Sequence, residues 1–271
     1  MRRPDFQVFK FTDHDVNITY QGEVYAPAGG VLPSATRHQG SLHATNFEVD
    51  GPITSDAITV DDLRKGLWRD TEVNEFIVDW LYPSAGAIKT SRYWITETEW
   101  DGEQWNASVE GGARWLRHKI GSVFTRNCRW KLGQGFISGI GCPADLDTLT
   151  KRDVTITAVA SRTQFTTGTG YTPTTRERYR FGRVIWQTGP NAGTFQEIKD
   201  YGQVAARVIE LFQPTPYEIT TLHRFDLEPG CDKIRSTCIN EYNLLTSFGG
   251  FPFMPGTNRL LLKPRGTGST P

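Results

Sequence analysis

Apolar and polar side chains alternate with period two over much of the first hundred residues, and short turn signals break the alternation. That pattern limits the chain to a strand-rich fold. In DVNITYQGEVYAP, Val16, Ile18 and Tyr20 occupy alternate positions, Gln21-Gly22 intervenes, and Val24 and Tyr25 resume the apolar pattern. A strand turns every second residue to the same face, so the run predicts a hairpin about Gln21-Gly22. EVNEFIVDWLYP places Phe76, Val78 and Trp80 on one predicted strand face and stops at Pro83. In RYWITETEWDGEQWNASVEG, Asp101-Gly102 separates two strand-like runs and suits a tight type I′ turn.

Helical signals are brief. TVDDLRKGLW sets Thr59 as a cap with Asp62 three residues on, and Gly66 closes the segment. ARWLRHKIG predicts a second short helix ended by Gly121. Beyond Cys142, DVTITAVAS predicts a strand and TQFTTGTGYTPTTRER a polar, Thr-rich loop. FGRVIWQTGPNAGTFQEIKDYG follows, with a strong turn at Gly189–Gly193, and then QVAARVIELFQPTPYEI. The expected organisation is an N-terminal β domain over 1–127, a cysteine loop over 128–149 and a smaller β domain over 150–228. A cysteine-bearing segment over 229–263 and a flexible tail over 264–271 complete it.

Thirty Lys and Arg balance thirty Asp and Glu. A neutral chain is a poor electrostatic partner for duplex DNA or an anionic membrane, and it lacks the self-repulsion that keeps monomers apart. The start, MRRPDFQVFKFTDHD, has no apolar run behind its arginines, so no export signal is expected, nor any membrane insertion. The sequons at Asn17 and Asn106 then read as chance matches. A reducing compartment also disfavours structural disulfides among Cys128, Cys142, Cys231 and Cys238.

Few constellations could carry catalysis. Asp13, Asp15 and Asn17 open like an EF-hand loop, but Ile18 and Val24 stand where glycine and glutamate are needed. Glu97 and Glu99 share a strand face without room for a sugar between them, and read as a solvated face. Trp80, Trp94 and Trp186 lie within strand patterns and are expected in cores. The five histidines form no HExxH, no serine sits in G-x-S-x-G, and no phosphate-binding glycine loop is present.

The cysteines remain. Four thiolates are the ligand number for tetrahedral zinc or a [4Fe–4S] cluster, but neither pair has the tight spacing usual for zinc. Lys233 and Arg235 could offset thiolate charge, and Gly141 and Gly230 precede two of the cysteines, where they could let backbone N–H groups approach sulfur. By spacing alone a metal site, unpaired buried thiols and disulfides all stay open.

The run GCDKIRSTCINEYNLLTSFGGFPFMPGTNRLL resembles the signature of the phage tail-tip or baseplate hub family: G-C-D-K, a second cysteine, an aromatic-Asn step, G-F-P and P-G-x-[ND]. WQTGPNAGTFQEIKDY resembles that family's hairpin. FTDHDVNITYQGEVYAPAGG, SDAITVDDLRKGLW and NEFIVDWLYP resemble its N-terminal domain in order and spacing. The family comprises hub proteins of long, non-contractile-tailed phages and of gene transfer agents. The lambda tail-tip cluster protein is more distantly similar in role. The resemblance implies a mainly β fold with an N-terminal hub-type barrel, a virion location at the tail tip and no enzymatic activity. Implied partners are two further copies in a homotrimer, the distal tail protein ring, a central fibre or receptor-binding protein and other baseplate proteins. It also implies a [4Fe–4S] cluster on Cys128, Cys142, Cys231 and Cys238, with zinc as the alternative. The gap from Cys128 to Cys142 is longer than the family pattern, so KLGQGFISGIG reads as an insertion. Rival readings are a cell-envelope hydrolase and a glycan-binding module using Trp100 and Trp105.

Overall fold

The computed structural model describes residues 1–27, 32–33, 46–52, 58–117, 121–137, 140–168, 177–202 and 207–254. The expected tail at 264–271 and the Pro255–Asn258 part of the C-terminal signature lie outside them. The fold is mainly β and divides into two compact units, 1–120 and 121–271.

Among the described residues the first unit holds two sheets. β1 (Phe11–Thr12), β2 (Ile18–Tyr20) and β3 (Glu23–Pro27) form one, with β3 central. The β2–β3 hairpin turns where expected: Gln21 and Gly22 have φ of +52° and +80°, and Tyr20 pairs with Glu23. The larger sheet is antiparallel and runs β4 (Leu32–Pro33), β5 (Asn46–Pro52), β8 (Gln104–Gly111), β7 (Ala87–Trp100), β6 (Glu72–Val78). β8 alternates cleanly, burying Trp105, Ala107 and Val109. Helix α1 (Val60–Arg64) is capped by Thr59, whose hydroxyl accepts from Asp62 N–H at 3.2 Å, and Gly66 at φ +68° ends its last turn. It brings Leu63 into the same core as Trp68, Tyr93 and Ile95. Arg3, 3% exposed, pairs with Asp5 and Asp62 and lies over the Phe9 and Trp68 rings. A buried guanidinium is tolerated there because both carboxylates answer it.

Several expectations need correction. The β7–β8 turn is not a type I′ turn centred on Asp101-Gly102: Asp101 N–H donates to the Gln104 carbonyl at 3.1 Å, which puts Gly102 and Glu103 at its centre, and of these only Gly102 has positive φ. Asp101 Oδ1 accepts from the Glu103 and Gln104 N–H groups, and this side-chain turn replaces the tighter one. Trp80 lies beyond the end of β6 and is 56% exposed, and Trp94 is only partly buried; of the three tryptophans expected in cores, Trp186 is fully inside. The short helix expected in ARWLRHKIG is a 3₁₀ helix, Gly112–Arg117, and residues 118–120 of that stretch lie outside the described residues. Trp105 is 3% exposed and cannot present its ring to a glycan.

The closed barrel lies in the second unit, whereas the first is built on the open sheets. Its strands are β11 (Lys151–Val159), β12 (Gln164–Thr167), β13 (Arg183–Trp186), β14 (Phe195–Tyr201), β15 (Val208–Leu211) and β16 (Arg224–Glu228), in the order β11-β12-β15-β14-β13-β16, with β16 pairing back to β11. β12 falls inside the stretch expected to be loop. Its threonines hide an alternation in which Phe165 and Thr167 point inward, each 1% exposed. Six strands leave an interior that side chains fill. Phe165, Trp186 and Phe225 meet there with ring centroids 5.5–5.6 Å apart. Asp226 is 6% exposed and accepts from Asp153 N–H (2.9 Å), Gln187 Nε2 (3.0 Å) and Arg152 (3.3 Å). Those bonds fix the bulge in β11 where Asp153 takes φ +56°.

The chain leaves the barrel through a tight crossing. A side chain on Gly230 would lie 2.1 Å from the Arg180 carbonyl oxygen and 2.2 Å from the Gly182 nitrogen. Gly182 is blocked in turn by the Glu228 oxygen at 2.2 Å. Two glycines let the backbones touch, and Cys231 follows at once.

Candidate functional site

All four cysteines line one pocket of the second unit, together with Trp130, Leu132, Ile234, Tyr242, Leu244 and Ser247. Each reaches it by a different local device. KLGQGFISGIG forms a hairpin, β9 (Gly135–Ile137) and β10 (Ile140–Cys142), in which Cys142 pairs with Gly135. The chain between Cys128 and Cys142 folds back on itself through the β9–β10 pairing, and both thiols line the pocket wall. Gly133, at φ +67°, lets Leu146 pack where a side chain would sit 2.4 Å away. Leu146 opens helix α2 (Leu146–Leu149), capped by Asp145.

Cys238 lies on helix α3 (Arg235–Tyr242), whose preceding turn holds Cys231. Asp232 anchors that turn by accepting from Ile234 N–H (2.9 Å) and the Thr237 hydroxyl (2.8 Å). Asn243, at φ +52°, ends the helix in a left-handed cap that sends Leu244 back over the pocket. Tyr242 closes the barrel side. Its hydroxyl donates toward the Gly230 carbonyl and lies 3.3 Å from that of Arg178.

Cys128 lies on an arm held from two sides. Its N–H donates to the Lys233 carbonyl at 2.9 Å, and its sulfur accepts from Gly249 N–H at 3.3 Å. Gly249 is required there, since a side chain would lie 2.2 Å from the Trp130 indole nitrogen. Phe251 N–H continues the clasp to the Thr125 carbonyl at 2.8 Å. The Cys231 sulfur accepts from Lys233 N–H at 3.4 Å, and the Cys238 thiol points to the Leu244 carbonyl at 3.3 Å.

Among the described residues Gly249 and Lys233 donate N–H groups to sulfur. Gly230 serves the backbone crossing, so the expected role of the glycine before that cysteine is replaced by that of residues two and more positions away. Arg235 is likewise diverted, stacking over Phe253 at 5.8 Å, and Lys233 is the cation beside Cys231.

Burial pushes the Cys231 thiol upward, with Lys233 opposing it. Burial and then the neighbouring thiols push Cys238 up to about 11. Tyr242 is also raised, first by burial. Cys231 and Cys238 are therefore held toward the neutral thiol, and their ligation as thiolates would release protons. Among the described residues no group of three or more His, Cys, Asp or Glu is set to hold a single metal ion. Asp13, Asp15 and Asn17 lie in a bend and the start of the hairpin region, and Glu97 and Glu99 are exposed on β7.

Comparison with known proteins bears on this arrangement. Residues 1–135 match the family described as baseplate hub protein, N-terminal attachment domain. Residues 177–258, which include Cys231, Cys238 and the Gly249 clasp, match the family described as phage conserved hypothetical protein BR0599. The chain belongs to the phage baseplate hub family. Among solved structures, a chain from the virion of a native gene transfer agent particle is similar over 99% of this chain and 91% of that one. The TM-score is 0.81 and the sequence identity 27%. No curated protein matches the sequence. A baseplate hub family and a virion neighbour together support a virion location.

Gly182 and Arg178, which precede β13, hold Gly230 and Tyr242 in place behind the pocket, and no local signal marks them. Glycine next to an aromatic is a common pair, and only the crossing reveals its partner in Gly230.

Proposed function

We propose that this hub protein is a structural component of a phage tail tip or tail-like particle. It assembles as a homotrimer, joins the distal tail ring to a central fibre or receptor-binding protein, and catalyses no reaction. Cys128, Cys142, Cys231 and Cys238 hold a [4Fe–4S] cluster that ties the arm at 128, the hairpin at 142 and α3 into one body.

The carrying observation is that these thiols, drawn from segments about ninety residues apart in sequence, line a single pocket. Zinc would draw four sulfurs to about 2.3 Å from one point. Among the described residues no group converges on one point in that way, and iron and sulfide content decides between zinc and the cubane. Apolar Trp130, Leu132, Ile234 and Leu244 would exclude water from it, and N–H donors to sulfur would stabilise thiolate charge. Bound there, the cluster would supply iron–thiolate cross-links.

Protein purified without oxygen should carry about four iron atoms and four acid-labile sulfides per chain. Zinc without sulfide would replace the cluster by the alternative metal, and neither metal would return the cysteines to plain thiols.

The first unit carries the surface suited to attachment. Ile77, Trp80, Leu81, Tyr82 and Ile88, near the β6–β7 connection, are each more than half exposed. Apolar and aromatic residues so displayed mark protein interfaces. Replacing both Trp80 and Leu81 by serine should leave thermal stability within about 1 kcal/mol of the parent, as surface changes do. Incorporation into particles, scored by immunoblot of purified virions, should fall. Normal incorporation would remove this surface from the attachment reading.

A further inference from the structure

We infer that Lys233 is the positioning residue of the thiol pocket, joining the Cys128 arm to the Cys231 turn and setting a cation beside them. This rests on reading the pocket as a cluster site. Lys233 makes three connections at once. Its N–H donates to the Cys231 sulfur at 3.4 Å, its carbonyl accepts from Cys128 N–H at 2.9 Å, and its ammonium donates to the Trp130 carbonyl. It thereby bonds to Cys231 of the C-terminal pair and to two points, Cys128 and Trp130, on the arm.

The backbone makes the residue choice informative. Lys233 has φ +68°, in the left-handed region where a side chain costs about 1 kcal/mol and glycine costs nothing. The side chain contributes there what glycine could not, the ammonium bond to the Trp130 carbonyl. The neighbouring charges are engaged elsewhere, Asp232 with Ile234 N–H and Thr237, and Arg235 with Phe253. The Lys233 ammonium is left to oppose the negative charge that four thiolates would concentrate.

The test compares K233M, K233G and K233R in the full-length chain. All three keep the backbone bonds, K233M keeps the strain without the charge, K233G removes both, and K233R keeps the charge. K233M and K233G are expected to lose iron and sulfide to a ferrous chelator about tenfold faster than the parent, the scale of an outer hydrogen-bond loss. Their cluster potential should shift negative, because reduction would add charge without the cation, and K233R should stay near the parent. A merely structural residue would instead let K233G, freed of strain, hold metal as well as the parent at unchanged potential; that result overturns the inference.

Hydrogen exchange on the metal-free chain separates this from the cluster reading. The Cys128 amide, which Lys233 accepts, should exchange about tenfold faster in K233M, as loss of one supporting bond would allow. If the parent carries no iron or sulfide, the cluster reading fails; faster exchange at Cys128 would still support Lys233 as the joint, and unchanged exchange would overturn it.

Discussion

Serine in place of Cys231 or Cys238 is expected to lower bound iron and sulfide at least tenfold. Serine is nearly isosteric with cysteine, so the fold has little steric reason to object. Its hydroxyl, however, is a hard donor with a much higher pKa than a thiol and is a poor ligand for iron. Both positions are held by α3 and its preceding turn, and the adjacent Asp232 is already engaged with Ile234 N–H and the Thr237 hydroxyl. Because metal binding couples to folding, the thermal transition should also fall in the metal-loaded protein, while the metal-free parent and variant should melt together. The same exchange at Cys128 and Cys142 tests the hairpin excursion. If Cys128→Ser kept full sulfide content, the ligand set would not include Cys128.

Gly230→Ala is expected to destabilise the second unit by about 3 kcal/mol or more, beyond the usual range for an overpacked side chain. The added methyl would meet the Arg180 oxygen and the Gly182 nitrogen, both backbone atoms of a crossing segment, at 2.1 and 2.2 Å. A flexible side chain could swing away, but backbone held by barrel pairing cannot. Gly182 N–H is engaged with the Tyr179 carbonyl at 2.9 Å, and Gly230 N–H with that of Arg178 at 2.9 Å. Relief therefore requires breaking hydrogen bonds on one side or the other. The check is denaturant unfolding of the full chain. An unchanged midpoint would mean that the crossing opens freely and that the two glycines do not brace the pocket against the barrel. Gly133→Ala offers a graded comparison, because its nearest obstacle is the flexible Leu146 side chain and the remaining cost is backbone strain at φ +67°.

Much of the strand framework was legible in local pattern. Gln21-Gly22 announced its hairpin because positive φ at two successive residues needs residues that tolerate it, and Thr59 with Gly66 marked the ends of α1. Failures came where a local signal had two outcomes. Asp101-Gly102 fits a type I′ turn, but the aspartate side chain also bonds backbone N–H groups, and that alternative won. Trp80 continued an alternating pattern past the point where pairing ends, so its ring lies outside instead of in the core. β12 was masked because threonine can face a barrel interior as well as a loop, and only Phe165 betrayed the inward face.

The sequence by itself determined the strand-rich class, the hub resemblance and the identity of the four thiols, since these rest on residue type and short-range order. Tertiary structure decided which unit carries the closed barrel, that KLGQGFISGIG folds back as a hairpin, and that four distant cysteines line one pocket. It also decided which neighbours matter: Lys233 rather than Arg235, Gly249 rather than Gly141, and Gly230 paired with Gly182. The physical reason is range. Dihedral preferences and alternation act within a few residues, whereas backbone approach at 2–3 Å depends on where strands close and chains cross, which no single segment encodes.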